Sequence, residues 1–144
     1  MNLKVAVVDD EAPIRQWLTY CIGTIAPEDK ISTAANGAEA LEMMEQVQPD
    51  IVFTDICMPV MDGLELMRQA KKKLPFTKFV ILTNYAEFSY AKEALSLGAW
   101  EYILKSEMRA ADIKNLLDKT RAQAEKIRRT KVDGGFPSGH LDLY

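Results

Sequence analysis

A chain of 144 residues with 48% hydrophobic content can form one domain around a buried core, and a formal charge of -3 leaves no basic footprint for binding nucleic acid directly. The apolar run from Leu3 to Val8 is too short for a signal sequence, and no stretch is long enough to cross a bilayer, which predicts a cytoplasmic protein without membrane contact. Two cysteines and one histidine, His140, exclude a disulfide scaffold, a zinc site and a histidine-based triad, so Cys21 and Cys57 both read as packed thiols.

In chain order, Val5 to Val8 is the first predicted strand. Pro13 suits the first turn of a helix, with Asp10 or Glu11 available to cap it, and Ile14, Trp17, Leu18, Cys21, Ile22 and Ile25 recur at helical spacing until Pro27 marks the exit. Ile31 to Ala34 and Ile51 to Phe53 read as strands on either side of a helix over Ala38 to Val47, which is closed by Pro49. A helix over Leu64 to Lys73 ends before Pro75, a strand follows at Phe79 to Leu82, and a helix over Glu87 to Leu97 stops at Gly98. The last strand is Tyr102 to Leu104, and the last helix runs from Met108 to about Arg129. Residues 130 to 144 contain Gly134-Gly135-Phe136-Pro137-Ser138-Gly139 and read as a linker stub, a tag remnant or a disordered end, which leaves one folded domain over residues 1 to 129.

Five strand-helix alternations predict an α/β fold with a doubly wound parallel sheet covered by helices on both faces. Methionines spread through the helices serve as core filler in such a layout. Asp9 and Asp10 follow the first strand, Asp55 the third, Thr83 the fourth and Lys105 the fifth. Ligands bind beyond the carboxyl ends of the strands in an open parallel sheet, so these five residues converge on one edge. Each alone would be a turn, capping or surface residue. Three carboxylates, a hydroxyl and an amine at matching strand ends form a candidate site.

Over roughly residues 3 to 125 the chain resembles the receiver domain of a two-component response regulator. The resemblance rests on VVDDE (Val7 to Glu11), TDICMPVMDG (Thr54 to Gly63), ILTNY (Ile81 to Tyr85) and YILK (Tyr102 to Lys105). It implies a flavodoxin-like five-stranded sheet in the order 2-1-3-4-5. It further implies that Asp55 is the phosphoacceptor and that Asp9 or Asp10, Asp55 and the Cys57 backbone carbonyl hold Mg²⁺. Lys105 and Thr83 then meet the phosphoryl group, and Tyr102 is the aromatic switch coupled to Thr83. The chemistry agrees, because clustered carboxylates repel one another and Mg²⁺ takes a few protein oxygens while keeping positions for water or phosphate.

The same resemblance makes the chain a signalling module that takes part in its own phosphoryl transfer and autodephosphorylation, with a sensor histidine kinase as donor. The fourth helix, fifth strand and fifth helix become the responding face and a possible homodimer surface. The stretch from Leu82 to Lys105 is similar to receivers of AraC-type helix-turn-helix regulators, which implies control of transcription through a DNA-binding domain that these residues do not include. No Walker-type loop is present, so a bound nucleotide is not the expected donor. A dehalogenase-like phosphatase would want a second carboxylate two residues after Asp55, where Cys57 stands, and a flavodoxin-like cofactor carrier would want a phosphate-cradling loop where Asp9-Asp10-Glu11 stands.

Four positions depart from the family pattern or adjust it. Ser106 follows Lys105 where the family usually has proline, which leaves the Lys105-Ser106 bond either trans or a strained cis, with Ser106 available as a cap for the last helix. Asn84 is larger than the residue commonly found beside the switch threonine and narrows access to the site. Tyr85 and Cys57 flank the same space, where they would tune access of water.

Overall fold

Strands and helices alternate along the whole described chain: β1 (Lys4–Val8), α1 (Ala12–Ile25), β2 (Lys30–Ala34), α2 (Gly37–Val47), β3 (Ile51–Asp55), α3 (Gly63–Lys73), β4 (Lys78–Thr83), α4 (Phe88–Ser96), β5 (Glu101–Leu104) and α5 (Ala110–Asp133). The structure is a computed structural model that describes residues 2–84 and 87–133, the last six as backbone only. Tyr85, His140 and the Gly/Pro-containing segment after residue 133 lie outside the described residues.

All strand pairs are parallel, and the sheet order is β2-β1-β3-β4-β5, as the resemblance implied. The central strands β1, β3 and β4 are buried almost end to end, whereas the edge strands β2 and β5 are largely half-exposed. Side chains alternate across the pleat and divide the core in two. Val5, Val7, Ile51, Phe53, Val80 and Leu82 pack with Leu18 and Ile22 of α1 and with Ile113, Leu116 and Leu117 of α5. Ala6, Val8, Val52, Phe79 and Ile81 pack on the opposite face against α2, α3 and α4, where Met44 and Met67 are fully buried.

Local signals set most helix ends. Asn36 and Asp62 accept from the backbone amides of Glu39 and Glu65, both at 2.9 Å, and such caps contribute about 1 kcal/mol each. Lys71, Lys72 and Lys73 in the last turn of α3 oppose the negative end of its dipole. Neither acidic candidate caps α1 in the expected way: Glu11 holds the N-cap position, but its side chain makes no cap bond. Pro13 has removed one of the amides it would accept from, and Lys105 engages its carboxylate instead.

Ser106 does not cap the last helix either. It lies in a 3₁₀ turn over Lys105–Glu107, and α5 begins only at Ala110. No cis peptide occurs among the described residues, so the Lys105-Ser106 bond is trans. α5 continues to Asp133, past the expected end near Arg129. Cys21 is buried as expected, but Cys57 is exposed because it sits in the loop leaving β3 and not on a core face. Trp17 shares the helical spacing of the core residues yet stays 39% exposed at the flank of α1. No helix among the described residues is long and apolar enough to cross a membrane.

Candidate functional site

The carboxyl ends of β1, β3, β4 and β5 bring Asp9, Asp55, Thr83 and Lys105 to one edge, as the alternation predicts. Asp55 closes β3 and is almost completely buried; Asp9 follows β1 and is fully buried, while Asp10 is exposed beside it. One oxygen from each of Asp9, Asp10 and Asp55 lies within 4.8 Å of the others.

Lys105 reaches into this group from the end of β5. Its Nζ is 2.9 Å from Asp9 Oδ2, 3.2 Å from Asp55 Oδ2 and 3.2 Å from Glu11 Oε1. The remaining carboxylate oxygens are oriented by the backbone: Asp9 Oδ1 accepts from the Glu11 amide at 2.8 Å, and Asp55 Oδ1 from the Ile56 amide at 2.7 Å. Arg15 of α1 donates to the Asp9 carbonyl at 2.8 Å. Asp9 Oδ2 is buried, and its one contact is the Lys105 ammonium.

That buried oxygen, served only by an ammonium shared among three acids, and the all-carboxylate donor set fit a hard divalent cation such as Mg²⁺. The electrostatics point the same way. Burial first, then the charge of Asp9, push the Asp55 carboxyl up to about 7 despite Lys105. Burial also raises Asp9 above its ordinary range. For Lys105, burial favours loss of the proton, but the hydrogen bond to Asp9 and the charge of Asp55 outweigh it and raise the ammonium pKa. The site is short of positive charge.

Thr83, the last residue of β4, is fully buried, and its hydroxyl donates to the Asn84 carbonyl at 3.1 Å. Tyr102 is half-buried on β5, with its ring edge-on to Phe88 of α4 at 5.7 Å between centroids. Cys57 stands two residues beyond Asp55; its thiol is pushed up to about 11 by local burial and then by neighbouring Glu87. Sequence reasoning placed Glu11 in the acidic opening but missed its pairing with Lys105, and it missed Arg15 and Glu87 as members of this environment. All three belong to helix entries, whose side-chain directions depend on the preceding loops.

The loop from β3 to α3 is set by close backbone approach. A Cβ on Gly63 would collide with the Asp55 carbonyl oxygen, while the Gly63 amide donates to Ile56 at 2.8 Å. Gly37 meets the Met61 carbonyl in the same way, so two glycines let the loop fold back beneath the aspartate.

Comparison with known proteins agrees with this geometry. The family model described as the response regulator receiver domain matches residues 5–118. The chain is 36% identical to the response regulator protein VraR of Staphylococcus saprophyticus over 120 residues, covering 83% of this chain and 57% of that protein. It is 41% identical to YesN, an uncharacterized transcriptional regulatory protein of Bacillus subtilis, over 106 residues, covering 71% of this chain and 28% of that one. Among solved structures it is similar to the REC domain of AraT, a response regulator from Geobacillus stearothermophilus, with a TM-score of 0.80 and 36% identity over 89% of this chain and 99% of that one. The chain spans less than two thirds of the length of the curated relatives it matches.

Proposed function

The chain belongs to the response regulator receiver domain family, and from that membership we propose that Asp55 is the phosphoacceptor through which it switches. Receivers of this family are phosphorylation-activated switches of two-component systems, signalling proteins that histidine kinases phosphorylate. The observation that carries the assignment is the buried Asp9-Asp55 pair bridged by Lys105 at the carboxyl edge of the sheet.

Asp9, Asp10 and Asp55, with the Cys57 backbone carbonyl, would hold Mg²⁺, which when bound neutralises their mutual repulsion and the charge of an incoming phosphoryl group. A carboxylate oxygen of Asp55 attacks phosphorus in line as the bond to the kinase histidine breaks, and the electron pair leaves with the imidazole. Lys105 keeps its proton and pairs with a phosphoryl oxygen. Attack by water on the same phosphorus later returns phosphate and free Asp55, which is the autodephosphorylation step.

Phosphorylation adds about -1.5 to -2 charges and new acceptor oxygens. Thr83 donates to one of them, and Tyr102 responds from the adjacent strand. Swinging an equilibrium from 1:99 to 99:1 takes about 5.5 kcal/mol. Charge-assisted bonds from Thr83 and Lys105, at about 1.5 to 3 kcal/mol each, supply most of that.

The cytoplasm is the proposed setting. The proposed receiver unit is residues 1–129, although α5 runs on to Asp133. The proposed output is transcriptional, through a DNA-binding domain of the AraC helix-turn-helix kind in the whole protein; similarity to YesN, an uncharacterized transcriptional regulatory protein, supports the transcriptional part. Exposed Phe88, Tyr90 and Leu95 on α4 support a homodimer through α4, β5 and α5.

Intact-protein mass spectrometry after incubation with acetyl phosphate and Mg²⁺ tests the assignment. One phosphate is expected on the wild type and none on Asp55→Asn. Equal phosphate on both proteins would remove Asp55 from the role.

A further inference from the structure

Glu87 stands immediately before α4. Its Oε1 lies 3.4 Å from the Asn84 amide nitrogen, its own amide donates to the Asn84 carbonyl at 3.0 Å, and its charge is close enough to the Cys57 thiol to help raise it. It therefore spans from the end of β4 to the loop that follows Asp55. Asn84 is the residue after Thr83, so the amide that Glu87 occupies sits on the same lip as the switch hydroxyl. The next residue, Phe88, packs edge-on against Tyr102, with Lys92 Nζ 5.7 Å from its ring centroid. The entry to α4 thus has one side chain at the rim of the phosphoacceptor site and its neighbour on the switch aromatic.

A carboxylate bound to a backbone amide beside Asp55 resembles, in charge and in acceptor chemistry, the phosphoryl group that the site is built to receive. The two anions repel each other, and a phosphoryl group has more charge and more acceptor oxygens. We propose that Glu87 is an internal anion that closes the rim of the site: it occupies the Asn84 amide until a phosphoryl group on Asp55 displaces it, and its departure carries Phe88 away from Tyr102. This rests on Asp55 being the phosphoacceptor. Glu87 is a positioning residue that acts through Asn84 and Phe88. A purely structural role, as a tie at the start of α4, would predict a weaker helix start in its variants but no gain in anion affinity.

The test is titration of ¹⁵N-labelled wild type, Glu87→Gln, Glu87→Ala and Asp55→Asn with beryllofluoride and Mg²⁺, followed through the Asn84 amide and the Tyr102 signals. Glu87→Gln keeps the shape and removes the charge. Both Glu87 variants are expected to bind beryllofluoride about three- to ten-fold more tightly than wild type at low salt, the scale of removing one partly screened like charge. The gain is expected to shrink in high salt, and the Asn84 and Tyr102 signals of unliganded Glu87→Gln to lie nearer their bound positions. Equal or weaker binding by both variants at low salt overturns the proposal while leaving Asp55 in its role. Binding by Asp55→Asn equal to wild type overturns the phosphoacceptor reading itself, and the Glu87 proposal with it.

Discussion

Lys105 lies within 3.2 Å of carboxylate oxygens from Asp9, Glu11 and Asp55, so one ammonium faces three acids. Without a metal, Asp55 binds its proton up to about pH 7, against an ordinary value of 3.8, and Asp9 is raised as well. Across that window the folded state carries protons that the unfolded state has released, so stability falls as pH rises. We expect the melting temperature of the metal-free protein to decline between about pH 4 and 7, and Asp55→Asn to flatten the decline. At pH 8 the same variant should melt about 3 to 8 °C higher than wild type, for about 1 to 2 kcal/mol of relieved burial and repulsion. Added Mg²⁺ should raise the wild-type melting point more at pH 8 than at pH 5; a metal-free melting point that is flat or rises with pH would contradict this charge balance. Asp9, Asp55, Thr83 and Lys105 were legible in the sequence because strand ends in a parallel sheet share an edge by construction. The pairing of Glu11 with Lys105 and the place of Glu87 were not, because a residue at a helix entry gains its direction only from the loop before it.

The β3–α3 loop shows what sequence conveys about an element and what it withholds. Pro and Gly punctuation located the helices within a few residues, and the apolar runs located the strands, but the order 2-1-3-4-5 came only from the family resemblance, since spacing does not encode which strands pair. Nor did spacing reveal strain inside the loop. Val60 has φ +72°, a left-handed conformation that costs a β-branched residue about 1 to 2 kcal/mol, and it is 85% exposed, so packing returns little of that cost. Val60→Gly should raise stability by about 0.5 to 1 kcal/mol in urea denaturation, after allowing for the greater freedom of glycine in the unfolded chain. Gly63→Ala should act in the opposite direction, losing about 1 to 3 kcal/mol and slowing phosphorylation by acetyl phosphate, because its new Cβ presses on the carbonyl of Asp55, the proposed phosphoacceptor. A Gly63→Ala protein as stable and as reactive as wild type would show that the loop can yield there.

Across the whole molecule, the two helices nearest β5 are held very differently. α4 buries only Ala91 and Ala94, and its ties to α3 are exposed: Arg68 to Glu93 at 3.2 Å, and Lys71 to the Leu97 carbonyl at 2.9 Å. Exposed pairs of this kind contribute about 0 to 1 kcal/mol. α5 is anchored by Ile113, Leu116 and Leu117 in the core and by Arg121, which donates to both oxygens of the buried Asp29 at 3.0 and 3.2 Å. Asp29 also accepts from the Leu3 amide at 3.0 Å, so the strut joins α5 to the starts of β1 and β2, at the end of the sheet opposite Asp55. A switch that repositions α4 can therefore act against a fixed α5. Arg121→Ala leaves the Asp29 carboxylate buried without its bidentate partner, and the expected loss is about 2 to 3 kcal/mol of unfolding free energy, with acetyl phosphate still modifying Asp55 at the wild-type rate. The decisive comparison is denaturation and phosphorylation measured on the same variant. A loss of stability with unchanged phosphorylation fits a strut remote from the site. Unchanged stability would show that the Arg121 pair does not anchor α5, and slowed phosphorylation would show that the two ends of the sheet are coupled through it.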